Sequence, residues 1–181
     1  MTDAKARPVK VPSAEECLRM LADSGCSESV QEHCKAVAKL AVRIARRCGA
    51  DPEIVEAGAL LHDIGRSKTH GMAHAVEGVK IASELKLPVQ LVRIIERHIG
   101  GGVTKAEAVR LGLPRKDYTP LTLEEKVVAH ADNLISGTER VPVKETVSRF
   151  VRHGMDGPAA QVLRLHKELS EACGCDVDEI R

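Results

Sequence analysis

The sequence predicts an all-α fold, a compact bundle of about seven to nine helices, on three observations. Helix-capping signals recur along the chain, and apolar residues return at spacings of three and four. No stretch of about four to eight residues alternates apolar with polar in the manner of a strand.

Residues 1–12 carry two prolines and several charges and are expected to form a loose arm. Ser13 with Glu16 makes a capping box that opens a first helix, running to about Leu21. A second helix starts near Ser27 and reaches Cys48, where Gly49 stops it. Asp51-Pro52 supplies an N-cap and a proline at the first helical position. The helix it opens is expected to end at Gly65 in a left-handed turn. A fourth helix covers about Ala73 to Leu85. The fifth opens at Leu87-Pro88 and ends at His98, ahead of the glycines 100–102. Thr104 with Glu107 and Thr122 with Glu125 read as two more capping boxes, and the last helices fall near 142–152 and 158–172. Without repeats or low-complexity tracts, residues 13–181 are expected to form one domain, with its motif-bearing core at 28–150 and a helical extension at 151–181.

Composition narrows the function classes. A formal net charge of +1 gives no strong pull toward nucleic acid or membranes. No apolar run approaches the roughly 18 residues of a membrane span, and nothing apolar follows the basic N-terminus as in a secretory signal. A cytoplasmic protein with reduced thiols is therefore expected, despite six cysteines. Cys34 and Cys48 fall in a helical apolar pattern, and Cys173-Gly-Cys175 lacks the paired spacing of a zinc site. With one Tyr, one Phe and no Trp, only Tyr118 offers a stacking surface for bases, which argues against nucleic-acid binding as the main activity.

Five helices each carry an imidazole or carboxylate on an apolar stripe. His33 shares a face with Val37, Leu40 and Ile44; His62 and Asp63 close the apolar run Ile54–Leu61. His74 aligns with Gly78, Ile81 and Leu85, His98 ends the stripe Leu91, Ile94, Ile95, and Asp132 lies between Val128 and Ile135. Any one such histidine is ordinarily a hydrogen-bonded core residue. An unpaired buried carboxylate costs several kcal/mol, of order 5. Several of them converging require a cation, and no interior Lys or Arg is evident. A divalent transition metal suits imidazole and carboxylate together. The position of His62-Asp63 at a helix C-terminus, where free carbonyls carry partial negative charge, favours a cation as well.

His33, the His62-Asp63 doublet within His-Asp-Ile-Gly, and Asp132 in Ala-His-Ala-Asp resemble, in order, the signature of the HD superfamily of metal-dependent phosphohydrolases. The resemblance covers roughly residues 28–150 and implies that these four residues hold a first metal, with Asp63 bridging to a second. In the HDIG subset two further histidines complete a binuclear centre, and His74 and His98 occupy their places here. His70, one helical turn earlier, competes with His74, which is preferred because it lies within the amphipathic helix. The chain is similar to bacterial HD-domain hydrolases of diadenosine tetraphosphate and to small archaeal HDIG proteins. It departs from the former at the glycine-rich 99–104 segment, so no substrate is carried over.

The implied activity is hydrolysis of a nucleotide or other small phosphoester or phosphoanhydride by a metal-activated water, with Asp63, Arg66 and His98 as candidate catalytic residues. The cofactor expected is a divalent transition metal (Fe, Mn, Co, Ni or Zn), in two copies. Arg66, Lys68 and Arg97 are candidate phosphate contacts, and Lys105 is a weaker one. Glycines 100–102 either bring backbone amides to a phosphate or form a flexible connector, and His130 or His70 would serve as general acid. The partner expected is a small phosphorylated substrate, with a homodimer through the stripe Val162, Leu165, Leu169 also open. Two other readings compete: a di-iron oxygenase on the same ligands, and a non-catalytic nucleotide-binding module.

Overall fold

The computed structural model describes residues 10–180, so most of the arm expected over 1–12 lies outside the described residues. The fold is all-α, as the periodicity requires. Among the described residues nine α-helices run in the order α1 (Ala14–Asp23), α2 (Glu28–Cys48), α3 (Pro52–Leu61), α4 (His74–Glu84), α5 (Val89–Arg97), α6 (Lys105–Arg110), α7 (Leu123–Asn133), α8 (Val143–Arg152) and α9 (Asp156–Cys173). Short 3-10 turns occupy Ile64–Ser67 and Val177–Glu179.

The capping signals explain where these helices begin. Ser13 and Thr104 make full capping boxes, Ser27 caps α2, and Asp51 accepts from the amides of Glu53 and Ile54 ahead of Pro52. Gly49 ends α2 at φ 82°, in the left-handed region open to glycine. Thr122 caps α7, but the reciprocal half of its expected box is absent. The Glu125 carboxylate turns instead to the Leu121 amide at 2.7 Å and the Arg97 guanidinium at 3.1 Å.

Helix α2 is the spine of the bundle, packed along α3 and α7 with α9 also against it. Leu21, Ile44, Leu61, Leu91, Ile95 and Leu169 are fully buried, and burial of each such side chain contributes roughly 1.5–3 kcal/mol. Val162, Leu165 and Leu169 are all buried in the chain's own core, so the C-terminal stripe is spent there and not on a second subunit.

Three departures matter for the site. Helix α3 stops at Leu61 and the chain tightens into the 3-10 turn, so Gly65 does not end a helix and is not left-handed. Its glycine has another cause: a Cβ there would lie 1.8 Å from the His74 carbonyl oxygen and 2.5 Å from the Gly78 nitrogen. The glycines let the 3-10 turn and α4 touch backbone to backbone. A two-residue antiparallel ladder pairs Ile135–Ser136 (β1) with Glu139–Arg140 (β2) through a turn at Gly137, φ 61°. Two residues per strand are too few to show alternation in sequence. Finally, Gly101 and Gly102 sit where packing leaves no room for a Cβ. A Cβ on Gly101 would meet the Gln161 backbone at 2.4 Å, and one on Gly102 would meet Pro120 at 2.9 Å.

Candidate metal centre

Four helix ends and one helix face build the site. His62 and His98 are the first residues beyond α3 and α5, His74 opens α4, His33 sits in the second turn of α2, and Asp132 lies near the end of α7. Three of the histidines are anchored in one way: Nδ1 of His62, His74 and His98 lies 2.7, 2.7 and 2.8 Å from the carbonyl three residues earlier, of Ala59, Gly71 and Ile95. For His62 and His98 that carbonyl belongs to the last helical turn, which has no intrahelical amide to bond. His33 is anchored from afar, with Nδ1 2.7 Å from the Gly137 carbonyl of the β1–β2 turn. A carbonyl only accepts, so each Nδ1 donates and each Nε2 is left as a lone pair facing the same pocket.

The pocket holds little to satisfy those lone pairs. His74 Nε2 and His98 Nε2 face each other at 2.9 Å, although both rings already carry their proton on Nδ1. Asp63 Oδ1 stands 3.3 Å from His74 Nε2 and 3.5 Å from His98 Nε2; its Oδ2 is 3.6 Å from His62 Nε2. Asp132 Oδ1 is 2.9 Å from His33 Nε2 and 3.6 Å from His62 Nε2. Buried His62 Nε2 and Asp63 Oδ1 have no hydrogen-bond partner among the described residues. Two donor sets, each within 4.8 Å, overlap at His62: His33, His62 and Asp132, then His62, Asp63 and His98. Unpartnered acceptors gathered in this way fit divalent cations and are costly without them.

Protonation tendencies carry the same demand. Burial disfavours charge on both carboxylates, yet the neighbouring histidines hold Asp63 and Asp132 well below the usual range. Burial also opposes charge on His62 and His33, but the carboxylates beside them outweigh it and raise both. His74 is pushed down to about 4, by burial and then by His98, and is neutral at physiological pH. The pocket thus draws positive charge onto His33 and His62 when protons are the only cations present.

The geometry sorts the remaining candidates. His33 and Asp132 are not core residues; their side chains are 18% and 24% exposed, which opens the centre onto a cleft of about 290 Å³. Arg66 and His70 line that cleft with His33 and Asp63. Arg66 bonds Asp63 Oδ2 through Nε and the His70 carbonyl through Nη1. His74 joins the donor cluster, while His70 is exposed outside it. Lys68 is exposed at the end of the 3-10 turn, and Lys105 is exposed at the start of α6.

Three expectations need correction. Arg97 is engaged with Glu125 and Glu96, at 3.1 and 3.9 Å, and does not line the phosphate-sized cleft. His130 is fully buried, with Nε2 2.9 Å from His166 Nδ1, and burial and then His166 push its pKa down to about 3. His166 continues to Asp176 at 3.0 Å, so this chain ties α9 to α7. Tyr118 is buried and donates to the Pro114 carbonyl, which removes it as a stacking surface. Gly137, which orients His33, was invisible in sequence because a backbone carbonyl has no side-chain signature. All six cysteines are free thiols.

Arg97→Ala is expected to lower stability by about 3 kcal/mol, since it strands the buried Glu125 carboxylate. The KM for a phosphoester should stay within about twofold of wild type, because a guanidinium outside the cleft adds nothing to ground-state binding. Denaturant titration and steady-state kinetics check the pair, and a tenfold higher KM at unchanged stability would restore Arg97 to the site.

The sequence profile of the HD domain matches residues 30–137. A protein of Thermoplasma volcanium named tRNA (cytidine(56)-2'-O)-methyltransferase is 43% identical over 177 residues, covering 97% of this chain and 52% of that protein. One of the same name in Picrophilus torridus is 42% identical over 170 residues, covering 94% of this chain and 50% of that protein. The chain therefore spans about half the length of these relatives. An uncharacterized protein of Methanocaldococcus jannaschii is 49% identical over 152 residues, covering 80% of this chain and 90% of that one. Among solved structures, the HD domain of the Listeria monocytogenes phosphodiesterase PgpH superposes with TM-score 0.55 at 16% identity, over 87% of this chain and 94% of that one.

Proposed function

The chain belongs to the HD-domain family, and from that premise we propose that it is a metal-dependent phosphohydrolase acting on a nucleotide or similar small phosphoester. The observation that carries the reading is the convergence of four Nε2 lone pairs and two carboxylates, with His62 Nε2 and Asp63 Oδ1 unpartnered. His33, His62 and Asp132 would hold one cation, His74 and His98 a second, and Asp63 lies between them. Divalent cations bound there acidify water and offset charge on phosphoryl oxygens.

The chain's own residues supply the rest. Arg66 presents a guanidinium beside Asp63 at the cleft wall, where it both orients that carboxylate and attracts phosphate oxygens. His70, exposed on the same wall, takes the role of protonating the leaving oxygen. The carbonyls of Ala59, Gly71, Ile95 and Gly137 fix the tautomer of each ligand-type imidazole.

The PgpH HD domain has been solved in complex with cyclic-di-AMP, which supports a nucleotide as the substrate class. Methyl transfer is the reaction in two relatives' names, and this chain spans about half the length of each. The His/Asp pocket offers phosphoryl chemistry in its place.

Protein purified without chelators is expected to carry about two transition-metal ions per chain by elemental analysis. It should then release phosphate or a nucleotide product with Mn, Fe, Co or Ni, and lose turnover on chelation. A chain that binds no metal after reconstitution, or one that binds metal and turns over no member of a nucleotide and dinucleotide panel, would end the hydrolase reading.

A further inference from the structure

A second cavity, of about 610 Å³, is larger than the polar cleft. Its walls come from Met72 and Ile99, from glycines 100–102, and from Leu111, Phe150 and Met155. Two of these segments run straight out of the metal centre: Ile99 follows His98, and Met72 stands two residues before His74. The volume falls in the range of small-molecule sites, and the walls combine apolar side chains with a few polar groups as such sites do.

Three further observations favour an organic occupant. Met72, Leu111 and Met155 are 37%, 46% and 38% exposed at its rim, an apolar grouping that water alone does not reward. Phe150, with Tyr118 one of two Phe, Tyr or Trp side chains in the sequence, is partly buried against the core and contributes to the wall. Gly157, in the first turn of α9, also lines the space. A Cβ at that position would meet only Glu107 Oε1, at 3.8 Å, and its φ lies outside the left-handed region. Neither crowding nor backbone strain requires glycine here. Gly101 contrasts with it, since a Cβ there would meet the α9 backbone at 2.4 Å. Glycine at 157 leaves this wall without a side chain.

We propose that this cavity is a nucleoside subsite, taking the base of a nucleotide whose phosphate lies at the metal centre. The base packs against Phe150 and the apolar wall, and Gln161, held by the Glu107 carboxylate at 3.0 and 3.1 Å, edges the pocket with its carboxamide. The position of the phosphate rests on the phosphohydrolase reading; the cavity and its open glycine stand independently of it.

The test is calorimetric titration of manganese-loaded protein with the four nucleoside 5′-monophosphates and with ribose 5-phosphate. The best nucleotide is expected to bind at least about tenfold more tightly than ribose 5-phosphate, the scale of one stacked base. Gly157→Leu, which fills the space without strain, should shrink that ratio below about threefold at an unchanged or higher melting temperature. Met155→Trp, filling from the rim, should do the same and guards against a misfolded first variant. Ala160→Leu, on the exposed side of α9, should keep the ratio. Equal affinity for nucleotide and ribose 5-phosphate, or a ratio untouched by both filling variants, overturns the subsite and leaves the hydrolase reading standing. That result is also expected if the cavity instead receives a segment of another protein. Failure of every phosphate to bind manganese-loaded protein overturns both.

Discussion

Asp63→Ala is expected to empty the metal centre and abolish turnover together. Asp63 is the one carboxylate within 3.6 Å of three imidazole nitrogens, those of His62, His74 and His98. It is buried, and among the described residues Arg66 is its one hydrogen-bond donor. Loss of a group that merely orients a metal ligand typically costs about 10–100-fold in affinity or activity. Loss of a carboxylate that faces three ligand-type imidazoles should therefore exceed about a thousandfold in kcat/KM. Asp63→Asn is the sharper variant, because it keeps the shape and removes the charge. Elemental analysis and turnover on one preparation decide the matter. Full metal content in either variant would remove Asp63 from the ligand set, and metal loss with normal turnover would remove the metal from the reaction.

Gly65→Ala has the largest expected effect on the fold relative to the atoms changed. The added methyl would sit 1.8 Å from the His74 carbonyl oxygen and 2.8 Å from its carbon, both backbone atoms that no rotamer change can move. The 3-10 turn and α4 must separate, and the Gly78–Ile95 contact behind them leaves little room to do so. Overpacking of this kind costs about 3 kcal/mol, or roughly 6–12 °C in melting temperature for a chain of this size. The separation also draws His74 away from Asp63, so the metal held by His74 and His98 should be lost before the one held by His33, His62 and Asp132. A melting temperature and metal count matching wild type would show that the two backbones do not touch in solution.

The helices were legible because their signals are local. A capping serine, a proline at a first turn and apolar residues at a spacing of three and four act within a few residues of where they are written. Boundaries failed where a distant partner intervened. Glu125 was drawn from its capping box by Arg97, and the helix expected to reach Gly65 broke at His62, whose ring bonds the Ala59 carbonyl. The hairpin at 135–140 carried no signal, since each of its strands is two residues long.

The ligand-type residues were legible for a related reason. Histidine and aspartate on apolar stripes are chemically out of place, and that anomaly is written in composition and spacing alone. By itself the sequence determined the helical class, the helix starts and the set of His33, His62, Asp63, His74, His98 and Asp132. What only the tertiary structure decided is which polar groups face one another. Arg97 and His130 look like site residues in sequence and are claimed by Glu125 and His166 in space. Gly65 reads as a helix stop and proves to be the point where two backbones meet. Phe150, 76 residues from His74 in sequence, lines the same cavity as Ile99, the residue after His98. Periodicity reports which face of a helix is buried; the partner of that face depends on packing between helices, which no local pattern encodes.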